Sequence, residues 1–126
     1  MTKISRKKRI RRRQYAYWKG RLAELLATVY LRMKGYHIVA RGFRKPVGEI
    51  DIIARHKDTL VAIEVKQRSS LEKALHAIHT KQRRRISRAM EYYISSHPEF
   101  NHMDVRFDVL LITSFVKKPV HMENAW

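Results

Sequence analysis

The 126-residue sequence contains no cysteine. That excludes a disulfide framework and any cysteine-ligated zinc site, and it suits a reducing, cytoplasmic setting. No apolar run approaches the ~20 residues that span a bilayer. The opening stretch, MTKISRKKRIRRRQYAYWKG, lacks the apolar centre of a signal peptide. A transit peptide or a nuclear signal ranks lower, because the basic run joins directly onto the domain. There are only four glycines, with no glycine-rich phosphate loop among them, and no Ser-His-Asp order stands out. The seven histidines form no metal-ligand pattern: His76 and His79 are three apart, with no carboxylate at suitable spacing. No internal repeat is present.

Acidic residues are also scarce. Eleven Asp and Glu stand against 28 Lys and Arg, for a net charge of +17. Residues 1–13 hold eight of the cations and no acid, and removing those eight from +17 leaves +9 on residues 14–126. The basicity therefore belongs to the domain as well as to its N-terminal tail. Such a field attracts polyanions in a salt-dependent way. Nucleic acid is the first candidate partner and an anionic membrane surface ranks behind it. The tail, 1–13, is expected to be disordered, and residues 14–126 to form a single domain, since ~100–150 residues is the usual domain size.

Residues 15–34 read as a helix. Trp18, Leu22, Leu25, Leu26, Val29 and Met33 recur at helical spacing as one apolar stripe expected to face the core. Glu24, Ala27 and Leu31 share a second face. Gly35 is a C-terminal stop. Three strands follow, at 36–44, 48–55 and 59–67, joined by KPVG and HKDT; connections this short imply antiparallel neighbours. Residues 70–96 are helical, with a Ser69/Ser70 cap, a break near Thr80 and Pro98 beyond the end. Residues 103–113 make a strand greasy enough to be covered on both faces, and 119–122 a short edge strand. The order gives an α/β fold, a mixed sheet with helices packed on it.

Carboxylates interrupt this sheet. In VGEIDIIARHKDTLVAIEVKQR, residues 47–68, Asp51 and Glu64 sit inside apolar runs where a plain core strand carries Val or Ile. Pairing Ala54 with Val61 sets Asp51 opposite Glu64; pairing it with Thr59 sets Glu49 opposite Glu64 and Asp51 diagonal to it. Either register leaves Asp51 and Glu64 on one face. Two such carboxylates repel, more so when partly buried. A shared proton, Lys66 on the same face, or a divalent cation would each offset the repulsion. The plain reading is a Glu64–Lys66 salt bridge at a strand edge with Asp51 solvated. The surrounding basic charge and flanking apolar runs shift the balance toward a metal site. Mg²⁺ or Mn²⁺ suits it, being held by one or two carboxylates, waters and a substrate phosphate. Such a site hydrolyses phosphodiesters, with Lys66 a compact charge for the nucleophile or the developing phosphorane.

GEID, then a hydrophobic run ending in EVK, resembles the PD-(D/E)XK nuclease signature. Over residues 18–125 the chain resembles the YraN-like family, an uncharacterised bacterial set grouped with archaeal Holliday-junction resolvases. Gly20, Glu24, Ala27, Tyr30-Leu31, Gly35, Arg41, Arg44, Gly48-Glu49-Ile50-Asp51, Glu64-Val65-Lys66, Arg68, Lys81, Ala89, Arg106-Phe107-Asp108 and Asn124-Ala125 carry the resemblance. It implies a restriction-endonuclease-like three-layer sandwich with a mixed four- to five-stranded sheet flanked by helices. It implies Asp51 and Glu64 as metal ligands, Lys66 as the catalytic lysine, and Glu24 as the first-helix acid completing the site. Resolvase-like members often act as dimers, so it also admits a homodimer.

Lys81, Arg84, Arg85 and Arg88 lie at helical spacing in KQRRRISRAMEYY, opposite Ile86, Ala89, Met90 and Tyr93. They read as a phosphate-binding ridge, which Arg41, Arg44 and Arg68 extend around the site. Phosphate contacts give affinity without sequence readout. Asp108, mid-strand among apolar residues, is expected to pair with a basic side chain from a helix. The leading reading is a metal-dependent endonuclease acting on branched or structured DNA. The second is a non-catalytic basic nucleic-acid-binding accessory module, since charge alone needs no active site.

Overall fold

The computed structural model describes residues 3–126, with the side chains of 3–5 and 15–18 outside the description. In order come α1 (Lys3–Met33), β1 (His37–Lys45), β2 (Gly48–His56) and β3 (Thr59–Gln67). Then follow α2 (Leu71–His76), α3 (Thr80–Ser96), a 3₁₀ turn (Pro98–Phe100), β4 (Asp104–Ile112) and β5 (Val120–Met122). The sheet order is β1-β2-β3-β4-β5. Every neighbouring pair is antiparallel except β3 and β4, which run parallel. That one parallel pair is where the chain leaves the sheet through α2 and α3, as a parallel crossover requires.

The helices cover both faces. Ala27 and Leu31 of α1 pack with Ile52, Ala54, Val61 and Ile63 on one face. Ile86, Ala89, Met90 and Tyr93 of α3 pack with Ile50, Ile53, Leu60 and Ala62 on the other. This is an α/β three-layer sandwich with a five-stranded mixed sheet, the restriction-endonuclease-like layout.

The local reasons are those of the turn and cap residues. Gly35, at φ +89°, ends α1, and Tyr36 N–H bonds back to the Leu31 carbonyl at 3.0 Å. Ser70 caps α2, its hydroxyl accepting the Lys73 N–H at 3.3 Å. Gly48 begins β2 where α3 crosses it: a Cβ there would fall on the Arg85 carbonyl oxygen. Only a glycine lets this strand and helix touch.

Three expectations are corrected. The stripe of Leu22, Leu25, Val29 and Met33 does not face the core; all four are exposed, and Leu26 is half-buried. Trp18, the first residue of that stripe, lies outside the described side chains. α1 buries Ala23, Ala27, Thr28 and Leu31 instead. The facing strands present large branched side chains, so close packing selects the small residues of the helix. The helix also begins at Lys3 rather than near residue 15. The basic run contains no Gly or Pro before Gly20 and is rich in helix-favouring Lys, Arg and Gln.

Asp108 is wholly buried, and its partner is not on a helix. Arg106, two residues away on the same face of β4, donates to both Asp108 oxygens at 2.9 Å. His121 Nε2 donates from β5 at 2.8 Å, and the Asn124 N–H at 2.9 Å. Burial pushes this carboxyl up, but these hydrogen bonds outweigh it and hold Asp108 below the usual carboxylate range. Asp108 thus anchors the edge strand and the segment after it.

Candidate active site

Neighbouring strands β2 and β3 pair from His56↔Thr59 to Ile52↔Ile63. This is the register that sets Ala54 against Val61, and so brings Asp51 to Glu64. Beyond Ile52↔Ile63 the ladder stops. There the Val65 N–H is taken by Asp51 Oδ2 at 2.9 Å, a side chain standing in for the next backbone partner. Ile50 then joins the α3 side while Ile52 joins the α1 side, so the alternation breaks at Asp51 itself. The carboxylate is lodged in a fork between strands.

Glu64 is buried on the α3 side. Its Oε1 accepts from Gln82 Nε2 at 3.2 Å and lies 3.3 Å from Lys66 Nζ. Burial first, and the Asp51 charge second, push Glu64 up to about 8, against the opposing pull of Lys66. Burial also pushes Asp51 up, opposed by the Val65 N–H, Glu64 and Lys66. The Glu64–Lys66 salt bridge foreseen from sequence is present, but both side chains are largely buried, at 8% and 14% exposed, and Asp51 is not a solvated bystander.

A cleft of about 1010 Å³ opens on the α1 side of this fork. Its walls are Gly20 to Leu25 of α1, Arg41, Gly42 and Arg44 of β1, Asp51 of β2, and Val65 and Gln67 of β3. Glu24 therefore shares the cleft with Asp51. Burial, then the Asp51 charge, pushes its carboxyl up, while Arg41, Arg21 and Arg44 oppose. Arg44 also pairs with Glu49 at 3.1 Å on the exposed surface.

Of the residues singled out by sequence, the structure brings Glu24, Arg41, Arg44 and Asp51 to one cleft; Glu64 and Lys66 pair with each other beside the fork and line no part of that cleft. Arg68, Lys81, Arg84, Arg85 and Arg88 are exposed but line no part of it. Among the described residues, no group of three or more His, Asp or Glu side chains is placed to hold a metal ion. The donor set present is the Asp51 and Glu64 carboxylates. That fits Mg²⁺ or Mn²⁺, hard cations satisfied by one or two carboxylates with waters and a phosphate. Gln82 was missed by sequence reasoning, although it stands four, seven, eight and eleven residues before Ile86, Ala89, Met90 and Tyr93, on the buried stripe of α3.

Comparison with known proteins gives a consistent result. A family model described as "Uncharacterised protein family UPF0102" matches residues 23–112. A UPF0102 protein of Chelativorans sp. is 40% identical over 114 residues, 90% of this chain and 91% of the relative. One from Nitrobacter winogradskyi is 46% identical over 111 residues, covering 88% and 93%. One from Mesorhizobium japonicum is 42% identical over 114 residues, covering 90% of each.

Proposed function

The chain belongs to the uncharacterised protein family UPF0102, and we propose that it is a metal-dependent nuclease acting on branched or structured DNA. One observation carries this reading: a buried Glu64 carboxyl and a half-buried Asp51 carboxyl brought together at a strand fork, with a lysine 3.3 Å from Glu64, beside an arginine-lined cleft. Holding such a pair costs stability unless a cation or proton offsets the repulsion. Arrangements that sacrifice stability cluster at functional sites.

In this reading Asp51 and Glu64 hold a Mg²⁺ or Mn²⁺. The ion would supply Lewis acidity to the phosphate and a more acidic water. The protein's own residues do the rest. The Val65 N–H fixes Asp51, and the Gln82 amide fixes Glu64. Lys66 brings a compact positive charge to the scissile phosphate. Glu24 faces the same cleft with a raised proton affinity, suited to positioning water. Arg41 and Arg44 grip the phosphate backbone.

The test is cleavage of four-way junction, flap and linear duplex substrates in Mg²⁺ and Mn²⁺. Asp51→Ala and Lys66→Ala are run alongside. Cleavage by the wild type alone supports the reading; no cleavage of any substrate, or equal cleavage by the variants, overturns it. The exposed α3 cations outside the cleft favour a second reading, binding without cleavage. Calorimetric Mn²⁺ binding that Glu64→Ala abolishes speaks for the enzyme over that module. No helix of the described residues is long and apolar enough to cross a membrane.

A further inference from the structure

Leu22 and Leu25 are about half exposed, at 53% and 51%, and both stand on the wall of the cleft that holds Asp51. Leucines on a polyanion-binding wall need an explanation. A continuous duplex presents phosphates and sugars to such a wall, and an apolar side chain gains little from them. The apolar surfaces of DNA are the base faces, which stacking hides. They become available where a strand leaves its helix.

We infer that Leu22 and Leu25 form a wedge that receives unstacked bases at a strand junction, placing the adjoining phosphate at Asp51. Apolar wedges of this kind, leucine included, separate base steps in DNA-bending proteins. The two leucines are one helical turn apart, about 4.5 Å of rise, enough to abut a base on each side of a step. Charge complementarity supports the same occupant: Arg41 and Arg44 of β1 line the same cleft as the leucines of α1, so one strand can meet cations at its phosphates and leucines at its bases. Gly42, at φ +61°, leaves bare backbone between those arginines, and nothing lies within 4 Å of where a Cβ would point. That gives the strand room to pass.

The stripe continues as Val29 and Met33, exposed and outside the cleft. A second copy on this stripe would bring two chains of net charge +17 together. A flat membrane surface does not enter a concave cleft, so it would reach the leucines without the Asp51 end of the cleft. Nucleic acid alone satisfies both the leucines and the arginines.

The inference rests on the nuclease reading for the position of the phosphate, and its experiment separates the two. Full-length protein is titrated in EDTA with a flapped duplex carrying 2-aminopurine at the first unpaired base, and with the same sequence as continuous duplex. Cleavage in Mn²⁺ is measured on the same substrates. Leu22→Ser/Leu25→Ser is expected to lower the flap-over-duplex preference about tenfold and the fluorescence change with it, while duplex affinity stays unchanged. Leu22→Phe/Leu25→Phe is expected to raise the preference, and Val29→Ser/Met33→Ser to leave it unaltered. Both leucines are surface residues, so the serine pair is expected to fold, with thermal melts as the check. Unchanged preference in the serine pair overturns the wedge. So does an equal loss in Val29→Ser/Met33→Ser with a dimer-to-monomer change in sedimentation, which assigns the stripe to a second copy. Loss of binding to phosphatidylserine vesicles in both serine pairs assigns it to a membrane and also overturns the wedge. If preference behaves as expected without cleavage by any form, the wedge stands and the nuclease reading falls.

Discussion

Asp51 Oδ2 accepts the Val65 N–H at 2.9 Å, so a proposed metal ligand on β2 replaces a backbone rung between β2 and β3. One bond does two things. It satisfies a donor that the end of the ladder leaves without a backbone partner. It also fixes the carboxyl beside Glu64, on the residue that precedes Val65.

Asp51→Asn and Asp51→Ala separate these roles. Asparagine keeps an acceptor for the Val65 N–H and removes the charge that burial disfavours. It is expected to be at least as stable as the wild type. Alanine leaves the donor unmet and is expected to be less stable than asparagine by about 1–3 kcal/mol. Both are expected to lose Mn²⁺ binding. Urea midpoints and calorimetry check the pair of outcomes; an alanine variant as stable as the asparagine one would show that the bond is not structural.

Glu64 makes stability depend on pH. Its carboxyl is pushed up to about 8 in the folded chain from an ordinary 4.5. Between those values the folded state binds the extra proton, so stability is greatest near the lower one and falls as pH rises through about 8. Asp51, also raised, adds to the same slope. Asp108, held low, acts with the opposite sign, losing its contribution only in more acid solution. Metal-free wild type is therefore expected to unfold at lower urea near pH 9 than near pH 5, with a much smaller difference in Glu64→Gln. Saturating Mn²⁺ is expected to restore the wild type at the higher pH, by about 2.7 kcal/mol at a hundred times Kd. Equal slopes in the two proteins would contradict the raised carboxyl.

Lys66 is expected to matter to the reaction more than to the fold. Lys66→Met removes the cation 3.3 Å from Glu64, and so raises the proton affinity of that carboxyl further. Near pH 9 the variant is expected to retain Mn²⁺ binding and to lose roughly 10²–10³ in kcat, the scale for losing one positioned electrostatic group. Lys66→Arg is expected not to rescue it, because the planar guanidinium is larger and spreads its charge. Full activity in the arginine variant would reduce Lys66 to a generic counter-charge.

Much of this was legible in the sequence, and the exceptions have physical causes. The β2–β3 hairpin was visible because HKDT is a compact turn, in which Lys57 takes φ 55°. Its register was not, since both alternatives kept Asp51 and Glu64 on one face; the Ala54↔Val61 pairing decides it. The buried face of α1 is not legible from hydrophobicity, which points to leucine, whereas the crowded sheet beneath it accepts Ala23 and Ala27. That one inversion brings Glu24 to the cleft and turns Leu22 and Leu25 outward. A helical partner for Asp108 is the natural expectation from sequence, but Arg106 two residues away shares its strand face and takes that place.

Gly48→Ala tests how the sheet is pressed against α3. The new methyl would overlap the Arg85 carbonyl, which belongs to helix backbone and cannot swing aside. Overpacking of this kind costs about 1–3 kcal/mol, or more where backbone must move. The shift is expected to disturb Glu64 through Gln82, which α3 carries to it. Lower urea midpoint together with weaker Mn²⁺ binding is the expected result; an unchanged midpoint would mean that α3 lifts off the strand at no cost.

If the chain is a nuclease, as proposed, the α3 ridge and the cleft arginines are expected to divide binding from reaction. Lys81, Arg84, Arg85 and Arg88 are exposed and stand outside the cleft, whereas Arg41 and Arg44 line it. Each DNA phosphate left without its cation lowers the slope of log affinity against log salt by about 0.9. Changing the four α3 cations to glutamine is expected to flatten that slope and weaken DNA binding at low salt, while cleavage of bound substrate proceeds at the wild-type rate. Arg41→Gln/Arg44→Gln is expected to lower single-turnover cleavage as well, because in the proposed reading these two cleft residues hold the strand beside Asp51. Filter binding over a salt series and single-turnover kinetics at saturating protein read the two quantities separately. Cleavage that falls with the α3 charges at saturation would place the scissile phosphate against α3 rather than in the cleft.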